Sequence, residues 1–112
     1  MKYDDLTIKE AREIVAMFTD KKDGDYSELI GQNVFIRTVT HHYTGRLIEE
    51  RAGVIILANA AWIAGDGRFS NAMNKGELDE VEPYHPDQLV RISKGAILDL
   101  SIWLFELPDR VK

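Results

Sequence analysis

The sequence predicts a mainly β domain: a small, strongly bent antiparallel barrel with an N-terminal α-helix and a helical insertion before its last strands. Three observations carry this. From Asn33 onward, β-branched and aromatic residues crowd into short runs, "NVFIRTVT", "YTGRLIEE" and "GVIILANAAWIA". The links between these runs are too short for crossover helices, so neighbours pair as antiparallel hairpins. Gly45 stands inside the second run, where it permits a strongly bent strand.

The helix is expected first. Thr7 and Glu10 have capping-box spacing, and Ile8, Ala11, Val15 and Phe18 form one apolar stripe with Ile14 at its margin. Gly24, in "DKKDGD", ends it. A short helical turn, "YSELIG", follows. The three strand runs come next, with "ERAG" as the turn between the second and third. The apolar block 54–58 reads as buried on both faces. Asp66 and Gly67 then signal a turn, 69–74 a short helix, and an acidic stretch leads to Pro83 and Pro86. The last strands are "QLVRIS" and "AILDLSIWLFEL", separated by a tight turn at Ser93, Lys94 and Gly95. The chain is therefore a single domain over 1–112. It divides into an N-terminal helical region (1–30), a first barrel motif (31–63), an insertion (64–87) and a second motif (88–107).

The 112 residues suffice for one compact domain, with 45% hydrophobic and 29% charged residues. A core this small gains from self-association. The net charge of −5 argues against a broadly basic nucleic-acid-coating protein. The charge is unevenly spread: −3 over 1–33, +2 over 34–76, −5 over 77–87 and +1 over 88–112. The mildly positive middle keeps a local anion-binding surface. The absence of cysteine excludes disulfides, zinc–thiolate sites and thiol catalysis, and fits a cytoplasmic location. "MKYDDLTIKE" lacks the apolar region of a signal peptide, and no apolar run approaches the roughly 20 residues that span a bilayer.

His41 and His42 fall where the first two strands join. Adjacent strand residues point to opposite faces, so the two are poorly placed to chelate one ion. The position favours a hairpin tip, where histidine tolerates positive φ better than most residues. Metal binding and acid–base work are weaker readings, because His85 lies far along the chain. A contact role, with an exposed tip histidine meeting a phosphate, a base or a neighbouring subunit, stays open.

The succession of a helix, "IGQNVFIRTVTHHYTGRLIEERAGVIIL" and "VRISKGAILDL" resembles the Sm-like (LSm) family, whose fold is an SH3-type barrel. Gly31, Val34, Ile36, Gly45, Leu47 and the block 55–57 fall in the places of its first motif, and Lys94, Gly95, Ala96 and Ile97 in those of its second. The resemblance covers 28–62 and 88–102. The chain departs from the family pattern at "EERAG", which lacks the base-holding Asn of many members. Gly95 replaces the histidine of the bacterial RNA chaperone, the His-His tip replaces Asn-Gly or Asp-Gly, and the insertion is longer than usual. In these departures it is similar to divergent, phage-type members.

The resemblance implies a homo-oligomeric ring of roughly five to seven subunits. In such a ring the fourth strand of one subunit pairs with the fifth of the next. It also implies single-stranded RNA as a partner, no membrane and no cofactor. Lys94 would recur around the axis beside the Gly95 amides, with Arg91 near, and many copies of a modest site would bind avidly. With His41 and His42 these are the candidate RNA-contacting residues. Blander readings accompany them. Lys94 is a solvated turn lysine, Arg37 and Arg46 pair with Glu49 or Glu50, and Trp62, Trp103 and Phe105 belong to a core or an interface. The cluster of Glu77, Asp79, Glu80 and Glu82 is a solvated face lacking the ligand order of a calcium loop.

The missing Asn and the negative total favour an alternative, an oligomeric interaction protein that has lost RNA binding. Enzymatic activity is not expected. The nearest constellation, His85 with Glu82 and Asp87, sits in a loop without the rigid burial that tunes catalytic groups.

Overall fold

The computed structural model describes residues 26–112. The expected N-terminal helix lies outside the described residues. The rest is a six-stranded antiparallel sheet with one α-helix. In chain order the elements are β1 (Asn33–Thr38), β2 (His42–Arg51), β3 (Val54–Gly65), α1 (Phe69–Lys75), β4 (Glu80–Pro83), β5 (Val90–Ser93) and β6 (Ile97–Ile102). Short 3-10 turns at Ser27–Leu29 and Lys94–Ala96 complete it. Among the described residues no helix is long and apolar enough to cross a membrane.

The strand order is β4, β3, β2, β1, β6, with β5 beside β3 as well. β3 serves both partners because it changes direction midway. Its first half, Val54 to Leu57, pairs with β5, and its second half, Ala61 to Gly65, pairs with β4. Between them Asn59 adopts φ 51°, the one positive φ among the described non-glycine residues. β2 bends with it, its register slipping between Thr44 and Arg46 and again between Leu47 and Glu49. Gly45 lies at the first slip. A Cβ there would stand 3.0 Å from the Leu57 side chain, so close approach across the bend requires glycine.

The sheet has cores on both faces. Val34 and Ile36 join Leu47, Ile55, Leu57, Ala60 and Ile92 on the inside of the curl. Phe35, which points the other way, joins Ala61, Ile63, Ala72, Leu78, Val81 and Trp103. The insertion and the C-terminal tail thus cover the outer face of β1 and β3. Trp103 stacks on Phe35 at 5.7 Å between centroids. The expected insertion helix is present. The acidic stretch, expected as a solvated face, does expose its carboxylates, yet Val81 anchors it as β4, a strand that the prolines and charges concealed. The outer side of β4 exchanges two hydrogen bonds of 3.0 Å between Val81 and Lys112.

Candidate nucleic-acid interface

Three turns meet at one end of the sheet. The Lys94 amide donates to the Gly53 carbonyl at 2.9 Å, joining the 94–96 turn to the β2/β3 turn. The Val39 amide donates to Ala96 at 3.3 Å, joining it to the β1/β2 tip. Lys94, Gly95 and the hairpin tip, far apart in sequence, are therefore brought together.

Lys94 is not a solvated turn residue. Its ammonium lies 2.9 Å from Glu50 Oε2, with side chains only 9% and 3% exposed. The Tyr26 amide donates to the same oxygen at 3.2 Å, and the ammonium sits 5.9 Å from the Tyr26 ring centre. Glu50 Oε1 has no hydrogen-bond partner among the described residues. The sequence marks Glu50 only as one of several surface carboxylates; nothing local signals that it folds beneath the turn.

Gly95 is not held as glycine by its backbone. Its φ is not positive, and a Cβ would meet nothing nearer than Ser93 Oγ at 3.7 Å. The turn is a 3-10 turn that any small residue can adopt. Arg91 is exposed on β5, opposite Ile56. Arg37 pairs with Asp99 across β1 and β6, not with Glu49 or Glu50. That hydrogen bond, foremost, holds the Asp99 carboxyl below the usual carboxylate range. Glu49 is taken by Arg51 at 2.7 Å, which also lowers its pKa.

The histidines do point to opposite faces. His41 Nε2 lies 2.8 Å from the Tyr43 hydroxyl, and its ring meets Trp62 edge-on at 5.5 Å. His42 Nδ1 lies 2.7 Å from Asp66 Oδ2, and its ring meets Phe35 edge-on at 5.7 Å. Neither forms the centre of the tip. Thr38 bonds His41, leaving Val39 and Thr40 at the apex, and His42 already belongs to β2. Both histidines have negative φ, so the expected positive-φ tip is corrected. Asp66, read from sequence only as a turn former, is the partner that fixes His42.

The constellation of His85, Glu82 and Asp87 does not assemble. His85 and Asp87 are 65% and 93% exposed with 3.9 Å between them, a solvated loop pair. Of the aromatic residues expected in a core or an interface, Trp103 is buried and donates its indole N–H to the Glu106 carbonyl at 3.0 Å, whereas Trp62 is 37% exposed.

No family model and no curated protein matches the chain. Among solved structures it is similar to the Sm protein of Pyrococcus abyssii in complex with a uridine heptamer. The identity is 19%, the TM-score 0.48, and the match covers 70% of this chain and 92% of that one.

Proposed function

We propose that the chain is an Sm-like barrel that assembles into a homo-oligomeric ring and binds single-stranded RNA without catalysis. The observation that carries the assembly is a pair of outer strands. Among the described residues β5 pairs only with β3 and β6 only with β1, so each leaves one side open there. Such edges are liabilities unless another strand covers them. Large apolar side chains crowd them: Leu89 beside β5, Leu98 and Ile102 on β6, and Leu104 just beyond, all exposed. Pairing β5 of one copy with β6 of the next closes both edges and covers these residues together.

The RNA reading is supported by the meeting of the three turns. A ring repeats that end around its axis, with Arg91, Gly95 and His41 near it, and repetition turns weak phosphate and base contacts into avid ones. His42, tied to Asp66, would act as a support for the tip. Lys94 contributes by opening from Glu50 or by polarising the turn from beneath.

A second reading keeps the ring and dispenses with RNA. The burial of the Lys94 ammonium against Glu50 favours it, because a cation already neutralised offers little to a phosphate. Titration of a fluorescent oligouridine at several salt concentrations separates the two. The RNA reading expects affinity that falls with log salt at a slope of about −0.7 per phosphate contacted, weakened by Arg91→Ala. No binding at low salt by an intact ring would establish the second.

A further inference from the structure

Beside the β1/β2 tip, the sheet carries an aromatic hollow. Leu100, Ile36, Tyr43, Trp62 and Glu82 lie side by side across β6, β1, β2, β3 and β4, so the last three share one face. Glu80 alternates onto that face as well. An open hollow of about 240 Å³ is lined by Trp62, Glu82, Pro83 and Tyr84. It is smaller than pockets that enclose whole small molecules, about 300–1,000 Å³. It suits one compact head group.

The walls are braced. His41 supports Trp62 edge-on, and the Tyr43 hydroxyl joins His41 at 2.8 Å. Burial, and then the neighbouring Tyr84 hydroxyl, keep the Tyr43 phenol protonated above its usual range. The Tyr84 amide is pinned to the Ala60 carbonyl at 2.9 Å. Trp62 and Tyr84 therefore stand in place before any ligand arrives.

The charge decides what that ligand is. Glu82 makes no ion pair among the described residues, and the 77–87 segment carries five carboxylates with no lysine or arginine. A phosphate would meet repulsion here. An organic cation gains from both parts, the ring faces and the carboxylate. We propose that this hollow receives the guanidinium or alkylammonium head of a basic side chain from a partner peptide. The site adjoins the β1/β2 tip through His41, which stands behind Trp62, but the proposal does not depend on RNA binding.

The test follows the Trp62 indole resonance by NMR in the intact protein. Tetramethylammonium chloride and acetyl-Gly-Arg-Gly-amide are titrated against sodium chloride at matched ionic strength. The buried Trp103 indole reports that the fold is kept. Saturable shifts with both organic cations and none with sodium are expected. Glu82→Gln should weaken both roughly tenfold, equivalent to about 1.4 kcal/mol, and Trp62→Ala should remove the response of the Tyr84 ring. A response to tetramethylammonium alone overturns the peptide assignment. A saturable shift only with oligouridine assigns the hollow to base stacking instead. Drift indistinguishable from sodium chloride overturns the site altogether.

Discussion

The Lys94 ammonium and the Glu50 carboxylate stand 2.9 Å apart beneath the turn that joins β5 to β6, both nearly out of solvent. Removing one partner leaves the other charge buried. Lys94→Met and Glu50→Gln should each destabilise by about 3–5 kcal/mol. The double change Lys94→Met with Glu50→Gln should cost clearly less than the sum, because no charge is stranded. Urea denaturation of the four proteins checks this; additive losses would mean the pair is not coupled.

Gly45 and Gly95 separate two uses of glycine. Gly45→Ala pushes a methyl to 3.0 Å from Leu57 and should cost about 1–3 kcal/mol. Gly95→Ala meets open space at ordinary φ and should change stability by no more than about 0.5 kcal/mol. Thermal melts of the two variants rank them, and an equal loss would contradict the geometry.

Thr44 is fully buried between β1 and β3, and its hydroxyl has no partner among the described residues. Thr44→Val keeps the shape and removes the stranded oxygen. A gain of about 1 kcal/mol is expected in chemical denaturation. A loss of that size would reveal a hydrogen bond the hydroxyl makes in solution.

The Asp99 carboxyl is held below its usual range chiefly by its hydrogen bond to Arg37. Its folded pKa is lower than its unfolded one, so its contribution is complete above about pH 4. It is lost as the pH falls through the folded value. Both side chains are half in solvent, so the contribution is small. Comparing acid unfolding of the wild type and Asp99→Asn should show a shallower acid limb in the variant. Identical limbs would mean the pair is broken in solution.

Much of the sheet was legible in the sequence because its strands announce themselves locally. "NVFIRT" and "GVIIL" are apolar on successive residues, and the structure explains why: β1 is covered on both faces, and Ile55, Ile56 and Leu57 are all buried. The opposed histidines follow from strand alternation alone. What escaped is what depends on distant pairing. β4 carries two glutamates and a proline around a single anchoring valine, and its strand character comes from β3. The second core needs Ala72, Leu78 and Trp103 to meet over Phe35, and no local period shows that. Glu50 and Asp66 look like any surface acid until the bend in β2 and β3 carries each under a cation or a ring. The burial of Lys94 was likewise hidden, since its partner Glu50 lies 44 positions away.

The central claim is assembly through the two open edges. Native mass spectrometry of the protein, purified from cells without nuclease, tests it most directly, with Leu98→Lys as the edge variant. The account expects one closed-ring mass for the wild type, with added polyanionic mass that ribonuclease removes, and a shift to monomer in the folded variant. A wild-type protein that is monomeric at micromolar concentration would contradict it.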